Sequence, residues 1–178
     1  MTPPSDWIVR WAPLIRPGGT VLDLACGSGR HLRGLAAQGV APTGVDRDAE
    51  ALAPLAALAE TVVADIENGP WPLPGRRFDA IVVTNYLWRP LFPAIRAALA
   101  DDGVLLYETF ERGHEALGRP TRPDFLLQPG ELLALAAGLR VVAYEAGRLD
   151  DPPRQVQRIA AQGPLTPPDR MARLKETA

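Results

Sequence analysis

The sequence predicts an α/β fold: a single doubly wound, mostly parallel seven-stranded sheet with an antiparallel final strand. Two observations lead there. Short apolar runs alternate five times with longer segments of helical periodicity, the signature of parallel strands joined by right-handed helical crossovers. After the fifth run, two β-prone segments flank a turn containing Asp150, Asp151 and two prolines, which reads as a closing hairpin. With 178 residues, the chain has the length of one domain, residues 1–178, with one sizeable core.

The elements follow in order. An N-terminal helix is predicted over residues 5–16, with Trp7 and Trp11 four apart and Arg10 between them. The core is predicted over residues 18–162. Thr20–Leu24 is the first strand, followed by a loop, Ala25-Cys26-Gly27-Ser28-Gly29. A helix carrying Leu32, Leu35 and Ala36 closes at Gly39. Ala41–Val45 is the second strand, ending at Asp46. Asp48 can cap a helix carrying Leu52, Leu55 and Leu58, which Pro54 must kink or delay. Thr61–Ala64 is the third strand, ending at Asp65. Residues 67–77 hold three prolines and two glycines and form a loop. Phe78–Thr84, almost unbroken in apolar character, suits a parallel strand buried on both faces. Pro90 opens a helix with Leu91, Ile95 and Leu99 on one face, and Asp102-Gly103 turns into a fifth strand, Val104–Thr109.

There the rhythm breaks. Residues 110–128 are polar, contain Pro120 and Pro123 and show no periodicity, so they form an insertion on the domain. The pattern resumes with a helix over residues 129–137 and two strands, Leu139–Tyr144 and Arg154–Ala161. The tail, residues 163–178, is Pro-rich and then charged; a short helix and disorder are both open for it.

Bulk chemistry narrows the function. The net charge is −2, which gives nothing to attract nucleic acid or an anionic membrane. The lone cysteine, Cys26, can form no internal disulfide and excludes a multi-cysteine metal site, and no metal is expected. No stretch has the length and apolarity of a membrane span or a signal peptide, so a cytoplasmic location is expected.

Three strand ends carry the chemistry. The loop from Asp23 to Gly29 leaves a strand and enters a helix, so its glycines permit close backbone approach and the helix start offers free N–H groups. Asp46, seventeen residues after Gly29, is placed to accept hydrogen bonds from two vicinal ribose hydroxyls. Asp65 can accept one from an exocyclic amine. Together they describe an adenosine-shaped ligand across three strand ends. The blander alternative makes the glycines a plain turn, Asp46 a helix cap and Asp65 a solvated strand end. A nicotinamide dinucleotide is disfavoured because Leu32 occupies the third glycine position of its fingerprint. As a strand-end carboxylate, Asp46 is expected to support ligand binding and little of the core.

At these residues the chain resembles the class I S-adenosylmethionine-dependent methyltransferases. Asp23-Leu-Ala-Cys-Gly-Ser-Gly29 looks like their first motif, Gly44-Val-Asp46 like the second-strand acidic motif and Ala64-Asp65-Ile66 like the adenine-contacting one. Phe78-Asp-Ala-Ile-Val-Val83 and Leu99-Ala-Asp-Asp-Gly-Val104 look like the fourth- and fifth-strand signatures. Residues 125–133 and the closing strands are similar to the small bacterial branch that includes tellurite-resistance methyltransferases. One departure is Ala25, where the first motif often has glycine, since alanine is not free to take φ > 0.

The resemblance implies a Rossmann-like methyltransferase fold and S-adenosylmethionine as cofactor, with S-adenosylhomocysteine as product. It places Asp23, Ala25, Gly27 and Gly29 along the methionine end, Asp46 and Arg47 at the ribose, Asp65 and Ile66 around the adenine, and Asn85 near the transferring methyl group. On the acceptor side, Tyr86 or Trp88 can form a wall, although Trp88 packed under the next helix is the plainer reading. The insertion is expected as a lid or acceptor-binding loop, with His114 as a base and Arg119 as an acceptor contact; a structural His114 is the alternative. Trp7, Trp11 and Arg10 either close over the cofactor or dock a helix on the sheet. The expected acceptor is a small molecule, since the insertion is short and no separate substrate domain is visible. Methylation of RNA or protein, and a non-catalytic cofactor-binding module, are the alternatives.

Overall fold

In the computed structural model, which describes residues 2–173, the chain forms one seven-stranded sheet flanked by helices. Residues 174–178 of the predicted tail lie outside the described residues. Helix α1 (Asp6–Trp11) starts where the Ser5 hydroxyl accepts the Trp7 N–H, and a 3₁₀ turn, Ala12–Leu14, continues it. Strand β1 (Thr20–Leu24) leads through the 25–29 loop into α2 (Arg30–Ala37), and Gly39 then takes φ 77°. Strand β2 (Ala41–Asp46) is followed by α3 (Ala49–Leu52), capped by Asp48, and β3 (Glu60–Val63) follows. Strand β4 (Phe78–Thr84), helix α4 (Phe92–Ala98) and strand β5 (Leu99–Phe110) come next. Helix α5 (Glu131–Leu135) and the hairpin of β6 (Arg140–Asp150) with β7 (Pro153–Gln162) complete the core.

The strand order is β3-β2-β1-β4-β5-β7-β6. The first five strands pair in parallel, and β7 runs antiparallel to both β5 and β6. The chain winds outward in one direction from β1 and in the other from β4, so the topological switch point lies between these two strands. Ligands in such sheets bind beyond the carboxyl ends at that point.

The apolar run of β4 has the expected reason: its side chains alternate between two buried faces. Ile81 and Val83 join a cluster with Leu22, Leu24, Ile95, Leu105, Tyr107 and Leu132. Ala80 and Val82 join the other, with Trp7, Ile8, Val21, Leu35 and Leu106. Trp7 is 1% exposed, its indole N–H donates to the Ile159 carbonyl (3.2 Å), and Trp11 meets it edge-on. The N-terminal helix is therefore docked on the sheet by its tryptophans, while Arg10 lies outside, paired with Glu145 at 3.4 Å.

Several elements differ from expectation. The α3 helix ends before Pro54, which sits in a 3₁₀ turn over Ala53–Leu55, and Leu58 is left exposed. Pro90 belongs to a 3₁₀ lead-in, Arg89–Leu91, and Leu99 starts β5 instead of ending a helix. Asp102-Gly103 is not a turn between elements: the β4–β5 register jumps between the Phe78–Leu99 and Ala80–Val104 pairs, so residues 100–103 form an irregularity inside one long strand. The hairpin strands reach the Asp151-Pro152 turn itself and are correspondingly longer than predicted. Among the described residues, no helix is long and apolar enough to cross a membrane.

Candidate active site

A cleft of about 320 Å³ opens beyond the carboxyl ends of β1 to β4. Ala25, Asp46, Arg47, Asp65, Ile66 and Tyr86, all expected at the site, line it. Ala64, from the motif likened to the adenine-contacting one, lines it too, and Glu67 and Phe125 join without having been expected. Glu67 directly follows that motif. Phe125 comes from the aperiodic insertion, where it heads the 125–133 segment singled out by resemblance but was assigned no part in the site.

The β1–α2 loop is held by Asp46. One carboxylate oxygen accepts the Gly27 N–H at 2.7 Å and the other accepts the Asp48 N–H at 3.0 Å. The Cys26 N–H donates to the Val45 carbonyl (3.1 Å). Asp46 thus fastens the loop to the end of β2, a larger structural share than a strand-end carboxylate was expected to have, and each oxygen keeps a lone pair for a ligand. Ala25 takes φ 54°, the left-handed region, despite its Cβ. That conformation costs an L-residue roughly 1–2 kcal/mol. The expectation that alanine would avoid φ > 0 is therefore corrected: the Cys26 and Gly27 bonds hold the loop in place, and Ala25 bears the strain. At Gly27 (φ 53°) an added Cβ would meet nothing within 4 Å, so open space faces the backbone there. At Gly29 (φ 72°) it would come within 2.5 Å of Leu55. Gly27 is thus a place where a ligand can approach, and Gly29 is a packing constraint.

Asp23 lies behind the loop, 1% exposed, and neither oxygen has a hydrogen-bond partner among the described residues. Burial pushes its carboxyl above the ordinary carboxylate range, opposed by His31 and Arg30. His31, buried beside it, accepts the Ser5 N–H on Nε2 (3.2 Å), which leaves the Nδ1 proton facing Asp23 Oδ2 at 3.7 Å. Asp65 is exposed; it accepts the Glu67 and Asn68 N–H groups and the Asn68 side-chain amide, which hold its carboxyl below the ordinary range. Burial, with the nearby charges of Glu67 and Asp65, raises the Tyr86 phenol above its usual value. Asn85 is exposed beside Tyr86, with φ 54° and its N–H donated to the Glu108 carbonyl (2.9 Å). Trp88 packs half-buried against the core, as in its plainer reading.

The insertion departs most from expectation. Glu111 bridges to Leu127, the Arg112 N–H donates to the Leu127 carbonyl, and the Leu127 N–H to the Phe110 carbonyl, so the loop is closed at its neck. His114, 3% exposed, plugs that neck. Its ring stacks on Phe110 with centroids 4.2 Å apart, Nε2 meets the Arg119 carbonyl at 2.9 Å, and Nδ1 accepts the Gln155 N–H at 3.4 Å. Both ring nitrogens are occupied by backbone, so His114 is structural here and is not brought to the cleft as a base. The Arg119 side chain is exposed and also does not line the cleft.

Size and chemistry fit the cofactor that the resemblance implies. The cleft volume lies in the range of small-molecule pockets, its polar rim has free acceptor capacity, and the loop backbone at Gly27 can be approached closely. Residues 2–137 match the family model for a methyltransferase domain. In sequence, no curated protein matches the chain. Among solved structures, it is similar to TehB from Haemophilus influenzae, with a TM-score of 0.74 and 21% identity over 92% of this chain and 63% of that one. This chain therefore spans under two thirds of that protein's length. A S-adenosylmethionine-dependent methyltransferase from Methanosarcina mazei aligns with a TM-score of 0.68 and 19% identity, over 91% of this chain and 99% of that one. The 1,6-didemethyltoxoflavin-N1-methyltransferase of Burkholderia thailandensis, solved with S-adenosylhomocysteine bound, aligns with a TM-score of 0.64 and 22% identity over 88% and 76% of the two chains. Motif order, sheet topology and family model agree: the chain belongs to the methyltransferase-domain family.

Proposed function

We propose that this protein methylates a small-molecule acceptor by in-line displacement at the methyl group of S-adenosylmethionine. The cleft that brings Asp46, Asp65, Tyr86 and Phe125 together carries the proposal. When bound, the cofactor supplies an activated methyl group on a positively charged sulfur. The protein's task is then to align donor and acceptor and exclude water.

Asp46 accepts the ribose hydroxyls on its remaining lone pairs, with Arg47 beside it. Ile66 gives the adenine an apolar face and Asp65 accepts from its amine. Ala25 and Gly27 serve the methionine end, with Asp23 and Gly29 supporting the loop from behind, and Asn85 serves the reacting end. The Tyr86 phenol stays protonated at neutral pH, so it acts as donor and wall, not as base. Phe125 closes the cleft from the insertion side. A general base is needed only for an acceptor that carries a proton, and His114 and Arg119 do not serve in this scheme. A similar protein, by its name, methylates 1,6-didemethyltoxoflavin, which supports the acceptor class. A cytoplasmic location accompanies the proposal, consistent with a single buried thiol, Cys26.

Calorimetric titration is expected to show binding of S-adenosylhomocysteine and none of NAD. Incubation with methyl-labelled cofactor and a cell extract is expected to label the small-molecule fraction. Label in RNA or protein alone would overturn the acceptor class, and tight NAD binding would overturn the cofactor.

A further inference from the structure

We infer that Arg89 is a positioning residue that, with Glu131, fixes Phe125 as the roof of the cofactor cleft; the inference rests on the proposed cofactor site. Arg89 follows β4, whereas Phe125 ends a 3₁₀ turn (Pro123–Phe125) in the insertion. The guanidinium spans the two. Nη1 donates to the Asp124 carbonyl at 2.7 Å and Nη2 to the Leu126 carbonyl at 2.9 Å, one on either side of Phe125. The same group forms a bidentate pair with Glu131 at the start of α5, at 2.6 and 2.8 Å. Glu131 in turn accepts the Gln128 N–H (2.8 Å), tying down the chain just beyond the turn.

Every feature of this arrangement needs a planar, multiply donating group. A lysine ammonium cannot hold two carbonyls and both carboxylate oxygens in one plane. Burial alone would raise the Glu131 carboxyl, but the Arg89 and Gln128 bonds hold it below its ordinary range. Leu126 and Leu127 are fully buried and anchor the far side of the turn, so the bridged carbonyls leave Phe125 one direction to face. Phe125 lines the cleft together with Asp46 and Asp65, and the Arg122 guanidinium lies 5.1 Å from its ring centroid. Arg89 and Glu131 do not themselves line the cleft, so their effect on a ligand must pass through Phe125.

A double-mutant cycle read by S-adenosylhomocysteine affinity tests this. Phe125→Ala is expected to weaken binding about tenfold, the scale of one lost aromatic wall. Arg89→Met should weaken it comparably, and the double variant should be no worse than Phe125→Ala alone. Arg89→Lys should fail to restore affinity. Losses that multiply, or an Arg89→Met variant with unchanged affinity, would overturn the inference. Should Arg89→Met not fold, Glu131→Gln takes its place in the same cycle with the same expectation. Amide exchange at residues 124–126 reads the latch without ligand and should accelerate in either variant. Accelerated exchange in a protein whose wild type binds no S-adenosylhomocysteine would sink the cofactor site and leave the latch standing; unchanged exchange would sink the latch.

Discussion

Replacing Asp46 by alanine should damage stability and binding together, and the two losses can be separated. The carboxylate accepts the Gly27 and Asp48 N–H groups at 2.7 and 3.0 Å. A hydrogen bond to a charged group contributes about 1.5–3 kcal/mol, and Asp46 is only partly buried, so water recovers part of what two such bonds supply. A net loss of about 2 kcal/mol follows, which for a chain of this size lowers Tm by roughly 4–8 °C. Asp46→Asn keeps one carbonyl acceptor and should lose about half as much. Thermal unfolding is then repeated with saturating S-adenosylhomocysteine. At a hundredfold excess over Kd, a ligand stabilises the native state by about 2.7 kcal/mol, so the wild type should gain several degrees and Asp46→Ala much less. If the unliganded variant melts with the wild type, the claim that Asp46 fastens the loop is refuted. If it melts early but gains as much from ligand, the ribose role is refuted instead.

Ala25→Gly should stabilise the protein modestly: relief of a left-handed alanine, roughly 1–2 kcal/mol, exceeds the extra chain entropy of glycine, about 0.5–1 kcal/mol. A lower urea midpoint for the variant would contradict this. His114→Ala should lower stability by about 2–3 kcal/mol, by unplugging the insertion's neck, while changing S-adenosylhomocysteine affinity less than twofold. A stable variant that had lost only turnover would return His114 to the chemistry. Burial pulls the Asp79 carboxyl upward, but hydrogen bonds from Arg16 and Thr20 outweigh it and hold the group below its ordinary value. Its contribution is therefore full above an ordinary aspartate pKa of about 3.9 and fades as pH falls through the lower native value. Unfolding midpoints of wild type and Asp79→Asn should differ at pH 6 and converge in acid; a gap that widened in acid would refute the sign.

What the sequence disclosed was whatever repeats with a period or ends a strand. The β4 run, the Gly27–Gly29 loop, Asp46 and Asp65 each announce themselves, because backbone geometry demands particular residue types there. Leu99–Gly103 misled, because Asp-Gly is a turn signal whose other use, an irregularity within a strand, looks the same in one dimension. Residues 145–150 of β6 were missed because an edge strand buries little and so shows no apolar run. His114 had the composition of a base and the surroundings of a plug, which only tertiary contacts distinguish. Phe125 reaches the cleft through bonds made by Arg89, thirty-six positions earlier, and nothing local encodes that.

The closed neck of residues 110–128 has an evolutionary consequence. A segment whose ends already meet, at the Glu111–Leu127 bridge, behaves as a cassette. Lengthening or exchanging its tip adds little closure entropy, since that grows only logarithmically with length, and leaves the register of β5 against β7 untouched. Variation can therefore accumulate at the tip, beyond the His114 plug and its Arg119 contact, without refounding the fold.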